Sequence, residues 1–301
     1  MTTRLLKNIL LSTMLAIVSL NAVAAEVKQK FNDLTLNANL ELANGKVPGD
    51  SIILMTHGTL AHGKMEITNT LQNLFKENGI DSLAITLGLG VNDRKGMYDC
   101  ATTHTHKHTD AVDEIAFWVN WLQQQGVKNI ILLGHSRGGN QTAWYAAERA
   151  DESIRKVVLI APATWNEKYA AEAYKERYKE DLMEVLAKAE SLVKNGKGQE
   201  VMKNTGHIYC ENTAVTAESF VSYNKPDMRF DTPYLLNKIK QPVLVFAGSK
   251  DDTVKDLDKK VGPQVKAGKI ELSVIDGAGH MFRDLYTDEI VEQVVEFLEK
   301  N

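Results

Sequence analysis

The sequence predicts an α/β fold, a mostly parallel sheet flanked by helices, with a helical cap inserted after the sixth strand. Three observations predict it. Short, continuous apolar runs recur at 51–56 (SIILMT), 82–87 (SLAITL), 129–133 (NIILL), 156–160 (KVVLI), 242–247 (PVLVFA) and 270–275 (IELSVI). Such runs suit strands buried on both faces of a parallel sheet. Helical segments separate them, which argues for strand–helix alternation with right-handed crossovers. Between Trp165 and Asn237 the alternation stops, and much of the chain (YAAEAYKERYKEDLMEVLAKAESLVKN) reads as helical and charged before the strand pattern resumes.

Residues 1–25 stand outside that fold. Arg4 and Lys7 form a positive start, and 9–20 (ILLSTMLAIVSL) form an apolar stretch too short for a good membrane span. Asn21-Ala22-Val23-Ala24-Ala25 then offers small residues to signal peptidase, so cleavage is expected before Ala25 or Glu26. Removing this segment takes the formal net charge from −4 to −6. Its short regions are those of a bacterial export signal, which places the mature chain in the periplasm, with full secretion as the second choice. No later segment is apolar for long enough to span a bilayer.

The remaining elements follow in order. Residues 31–42 (FNDLTLNANLEL) alternate apolar and polar, as a half-buried strand or hairpin does. A helix over 66–77 ends at Asn78-Gly79, and a helix over 110–125 ends at Gly126. Further helices are read at 137–150, around 254–266 and at 287–300. The core is thus assigned to 26–164 and 238–301, and the cap to 165–237. With 44% hydrophobic and 25% charged residues, the 301-residue chain has the composition of an ordinary globular domain. A disordered chain and a disulfide-dense miniprotein are excluded, and the negative charge argues against nucleic acid as a partner.

Chemistry enters at Gly134-His135-Ser136-Arg137-Gly138. The string G-x-S-x-G arises by composition about once in ten chains of this length, so its context carries the weight. It follows a buried strand and opens a helix, as a nucleophile elbow requires. The glycines leave room for the strained turn, and the helix N-terminus favours developing negative charge. Ser136 is the candidate nucleophile.

With His57-Gly58 after the third strand, Gly248-Ser249-Lys250-Asp251-Asp252 after 242–247, and Gly277-Ala278-Gly279-His280 after the last strand, the chain resembles the α/β-hydrolase superfamily, its serine esterases and lipases in particular. The resemblance runs from His57 to the end and implies an α/β-hydrolase fold. It implies His280 as the base, since only this one of eight histidines follows the last strand. It implies an acid at Asp251 or Asp252, and the family's usual spacing of three residues after the strand-ending glycine favours Asp251. Adjacent side chains in an extended loop point apart, so Asp252 is expected to face solvent or to cap a helix starting near Val254. The oxyanion donors it implies are the backbone N–H groups of Arg137 and Thr59, with Leu60 behind. His57, Leu60 and Trp165 are the candidates for the substrate pocket, and His57 is expected to brace its loop rather than move protons.

Two features lie outside those motifs. Cys100 and Cys210 both emerge at the carboxyl edge of the sheet, and an exported chain with two cysteines invites a disulfide. His104, His106 and His108 alternate in the loop over 88–109. They read as a solvated loop, as the rim of the site, or as a metal site if their alternate side chains converge. The leading function is a serine hydrolase that cleaves small carboxylic esters through an acyl-enzyme, which needs neither metal nor cofactor. An amidase or peptidase on the same residues, and a non-catalytic binding protein on the same fold, are the alternatives. The cap over 165–240 holds twelve Lys/Arg and twelve Asp/Glu, a balance that names no substrate charge. The sequence leaves the oligomeric state open.

Overall fold

The computed structural model describes residues 25–45 and 47–300. Residues 1–24, which carry all but the last residue of the expected export signal, lie outside the described residues. The main sheet contains β1 (Ala25–Phe31), β2 (Leu34–Glu41), β3 (Ser51–Thr56), β4 (Ser82–Thr86), β5 (Asn129–His135), β6 (Ile154–Ile160), and, past β7 (Val201–His207) and β8 (Cys210–Thr216) of the insertion, β9 (Val243–Gly248) and β10 (Glu271–Ile275). Their order is β1-β2-β4-β3-β5-β6-β9-β10. β1 pairs antiparallel with β2, and β2 antiparallel with β4. All other neighbours are parallel.

Apolar alternation along the central strands builds two cores. Ile52 and Leu54 of β3, Ile130 and Leu132 of β5, and Val157 and Leu159 of β6 face one side. Ile53, Met55, Ile131, Leu133, Val158 and Ile160 face the other. Because side chains alternate with period two, a strand buried on both faces must be apolar throughout, which is why these segments are continuous runs. α2 (Asp110–Gln124), α3 (Ser136–Glu148) and α8 (Leu257–Lys266) cover the first face through residues such as Ile115, Trp118, Ala143 and Val261. α1 (Glu66–Glu77) and α9 (Leu285–Glu299) cover the second through Leu71, Phe75, Ile290 and Val294. Each of these large side chains contributes about 1.5–3 kcal/mol on burial. β1 sits at the sheet edge with every second residue exposed, so it alternates in sequence as well.

The insertion after β6 is mostly helical, as expected, and adds a hairpin that the sequence did not announce. It contains α4 (Glu167–Tyr178), α5 (Leu182–Lys194), the antiparallel pair β7–β8, α6 (Ala217–Asn224), a single 3-10 turn at Met228–Phe230 and α7 (Thr232–Leu236). The hairpin escaped the sequence because β7 (VMKNTGH) and β8 (CENTAVT) are polar and lack clean alternation. Long-range partners hold it instead. Tyr174, Leu186, Met202, Val215 and Phe220 form a small core within the insertion. The loop over 88–109 runs beside β8: His104 N–H donates to Ala214 O at 2.8 Å, and Thr216 N–H donates to His104 O at 2.9 Å. A disulfide joins Cys100 in that loop to Cys210 at the start of β8.

Candidate active site

Strand β5 ends and α3 begins at Ser136, which sits at φ +57°. That left-handed conformation is costly for a residue with a Cβ, and tight packing on either side of the turn imposes it. A Cβ on Gly134 would stand 2.5 Å from Thr142 Oγ1, and a Cβ on Gly138 would stand 2.1 Å from His57 O. Both positions therefore require glycine, and the turn presents Ser136 Oγ at the carboxyl edge of the sheet.

Three side chains from three loops meet there. Ser136 Oγ lies 2.9 Å from His280 Nε2, and His280 Nδ1 lies 2.8 Å from Asp251 Oδ2. The imidazole proton on Nδ1 is donated to Asp251, which leaves Nε2 to accept from the serine hydroxyl. The Asp251 side chain is only 2% exposed. Burial by itself would raise its pKa, but hydrogen bonds from His280 and from the backbone N–H of Val254 and Thr253 outweigh it and hold the carboxyl below its ordinary value. Asp252 is exposed, accepting only from Thr253 Oγ1 at 3.3 Å. It caps no helix, because α8 starts later, at Leu257, with Asp256 at its N-cap position. Val254 is buried and anchors the loop.

The loop after β3 closes the other side. His57 Nδ1 donates to Gly58 O at 2.8 Å, and His57 Nε2 accepts from Leu87 N–H at 3.0 Å. Arg94, itself fixed on Leu87 O and Gly96 O, lies 3.2 Å from the same Nε2. Burial, and then the Arg94 charge, lower the His57 pKa to about 3, so the ring is a neutral brace. Arg137 Nε donates to Thr59 Oγ1 at 3.1 Å, which ties this loop to the first turn of α3. The first backbone N–H groups of a helix have no partner within it, so the Arg137 N–H is available beside Ser136.

A cavity of about 350 Å³ opens beside Ser136. His57, Leu60 and Thr59 line it, as does an apolar wall of Met65, Ile67, Met97 and Met281. Tyr209, from the tip of the β7–β8 hairpin, and His135 join that lining. These four loops are distant in sequence, and the methionines and Tyr209 carry no motif. His135 stood inside the serine motif but drew no role there; its Nε2–H donates to His280 O at 2.9 Å, which fixes the backbone of the histidine loop. Trp165 does not line this cavity. It lines a second cleft with His108, Arg137 and Asn140, because Asp231 anchors its backbone and Phe230 packs its ring.

The histidine run is not a solvated loop. His104, His106 and His108 are at most 2% exposed. His106 lies 3.2 Å from His104 and 2.8 Å from Tyr223 Oη, and the ring of His207 stands edge-on to His104. Burial is the main cause that lowers the pKa of His104 to about 4 and those of His106 and His108 to about 3. Among the described residues no group of three His, Cys, Asp or Glu side chains is arranged to hold a metal ion.

Comparison with known proteins fits this geometry. No curated protein sequence matches the chain. Solved structures similar to it include Est1E from Butyrivibrio proteoclasticus, at 16% identity and a TM-score of 0.61, covering 91% of this chain and 99% of that one. They also include the Pyrococcus furiosus esterase Pf2001, at 18% identity and a TM-score of 0.60, covering 92% and 91%. A third is the α/β hydrolase GrgF from Penicillium sp. sh18, at 16% identity and a TM-score of 0.62, covering 92% and 98%. At such identities the likeness is one of fold. Residues 48–284 match the family described as serine aminopeptidase, S33, and the chain therefore belongs to that family of α/β hydrolases.

Proposed function

We propose that this hydrolase is a serine carboxylesterase acting through an acyl-enzyme. The observation that carries the reading is the chain of hydrogen bonds from Asp251 through His280 to Ser136, at 2.8 and 2.9 Å. In this reading Ser136 Oγ attacks the ester carbonyl while its proton passes to His280 Nε2. The backbone N–H groups of Arg137 and Thr59 receive the oxyanion. The ester C–O bond then breaks, and the alcohol leaves with the proton from His280. Water, deprotonated by His280, hydrolyses the acyl-enzyme and regenerates the serine. Asp251 keeps the imidazole in the required tautomer and stabilises its charged form.

The family description favours a second reading, an aminopeptidase. Such an enzyme must hold a substrate ammonium, yet no Asp or Glu lines the cavity beside Ser136. The apolar lining suits a neutral hydrocarbon or aromatic group, and one neighbouring structure, of Est1E, has ferulic acid bound. A fluorophosphonate probe tests the nucleophile: it labels the wild-type protein and leaves Ser136→Ala unlabelled. Equal labelling of both overturns the assignment. p-Nitrophenyl esters and p-nitroanilides of matched acyl groups then separate the readings, esters turning over and anilides not. We further propose export to the periplasm, which the Cys100–Cys210 disulfide supports because such bonds persist in oxidising compartments. Sequencing the N-terminus of protein recovered from the periplasmic fraction should read from Ala25 or Glu26.

A further inference from the structure

Arg137 carries a charge that no carboxylate answers. Its guanidinium is half-buried, pinned by Thr59 Oγ1 at 3.1 Å from Nε and by His108 Nδ1 at 3.4 Å from Nη1, and it lies 5.5 Å from the Tyr223 ring centre. None of these partners is anionic, and no ion pair forms to it among the described residues. A guanidinium offers five N–H donors, and the described partners occupy only two of them. Asp227, whose charge reaches His108, is held by Arg229 at 2.6 Å.

The open face of Arg137 lines a cleft of about 160 Å³ on the side of the first turn of α3 away from the apolar cavity. At roughly 30 Å³ per water, the cleft has room for about five waters or a short polar chain. His108, Asn140, Trp165, Tyr223 and Phe230 also line it, and no Asp or Glu does. His108 and Asn140 are almost fully buried there, and the His108 ring donates to the Asn140 side chain. His108 Nδ1 faces the Arg137 donor, so the ring proton is on Nε2, and Asn140 accepts it. The cleft thus holds a fixed cation whose remaining donors meet no anionic partner among the described residues. A gap of only about 10 Å³ shares Thr59 and Leu60 with the apolar cavity and Arg137 and Tyr223 with the cleft.

We infer that this cleft binds a carboxylate carried by the substrate, with Arg137 as its counter-ion, so that the enzyme takes monoanionic esters whose apolar part fills the cavity beside Ser136. The inference rests on the esterase reading for the words substrate and ester, but the subsite itself rests on Arg137 and the cleft without carboxylates that it lines. A half-buried guanidinium with free donors lacks a counter-ion, and a bound carboxylate supplies one through charge-assisted hydrogen bonds. The specificity is thus set by the side chain of the residue whose backbone N–H faces the oxyanion.

The experiment compares mono-p-nitrophenyl adipate with its methyl ester, two substrates that differ only in charge. The wild-type enzyme is expected to favour the acid by about tenfold or more in kcat/KM, a preference that shrinks with added salt because the pair is only partly buried. In Arg137→Gln the ratio of acid to ester falls to about one, whatever happens to the common rate, and Arg137→Lys recovers part of it. Asn140→Asp, which places a carboxylate in the cleft, lowers the ratio as well. Glutarate titrated into Ser136→Ala by calorimetry gives a readout independent of turnover: it binds, and adding Arg137→Gln weakens it about tenfold or more. Hydrolysis of both esters with no preference overturns the subsite while the esterase reading stands. Failure to hydrolyse either ester, with Arg137-dependent glutarate binding intact, overturns the esterase reading while the subsite stands. If glutarate does not bind at all, the subsite is refuted.

Discussion

Asp251 and Asp252 are chemically identical neighbours, and burial alone separates them. Asp251 turns inward, its side chain 2% exposed, and accepts from His280 and two backbone N–H groups. Asp252 turns outward. Asp251→Asn should therefore lower kcat/KM on an activated ester greatly, by up to about 10⁴ on the serine-protease precedent, because the amide no longer holds the required tautomer. Asp252→Asn should change it little. Its stability should change little too, since Asp252 caps no helix. The check is kcat/KM for the two purified variants on one substrate, and a crippled Asp252→Asn beside an active Asp251→Asn would reverse the assignment. Both candidates were legible in the sequence; which one faces inward was a matter of spacing by resemblance, made physical only by the loop's backbone.

The loop over 88–109 and the β7–β8 hairpin act as one element. Backbone hydrogen bonds at His104 join them, Thr213 Oγ1 donates to Cys100 O at 2.6 Å, and Ser219 Oγ donates to His106 O at 2.6 Å. The disulfide closes a separation of 110 residues. On the chain-entropy account such a loop contributes roughly 4–5 kcal/mol, an upper-end figure. Two consequences are measurable. Denaturant unfolding of Cys100→Ser/Cys210→Ser should show a midpoint well below that of the oxidised wild type, with the reduced wild type close to the variant. The tip of the hairpin brings Tyr209 to the cavity beside Ser136, so KM for esters should rise in the same variant more than kcat falls. An unchanged midpoint would show that the surrounding hydrogen bonds suffice.

At the scale of the whole molecule, the protein is built to fail in acid. His57, His104, His106, His108 and His135 all have pKa values lowered to about 3 or 4, with burial the leading cause in each, and burial lowers that of His207 as well. In the unfolded chain each takes up a proton near pH 6.5, while in the folded chain it stays neutral until pH 4 or below. The unfolded state therefore binds more protons, and stability falls as pH drops from about 6.5 toward 4, by up to about 1.4 kcal/mol per pH unit for each such histidine. Glu114 works the other way: burial raises its pKa to about 8, so folding is favoured as pH falls from 8 toward its ordinary value. One carboxyl offsets about one histidine. Urea unfolding at pH 7.5, 6.5, 5.5 and 5.0 should give a steadily falling free energy below pH 6.5, and a flat profile would sink this account.

The sequence by itself determined the sheet and the three side chains that meet at its carboxyl edge. Strands buried on both faces must be continuous apolar runs, and a strained serine turn must have glycines where a Cβ would strike backbone, as at Gly138 against His57 O. Those constraints are local, so they are written in local patterns at Ser136, Asp251 and His280. What only the tertiary structure decided is everything that depends on segments distant in the chain. The polar strands β7 and β8 form because the loop over 88–109 and the disulfide hold them, not because of their own alternation. His104, His106 and His108 are core residues because the insertion packs over them. Trp165 faces the second cleft rather than the first because Asp231, 66 residues away, holds its backbone. That Arg137 of α3 meets no carboxylate was likewise invisible in the sequence, since a count of charges carries no distances and ion pairs are a matter of distance.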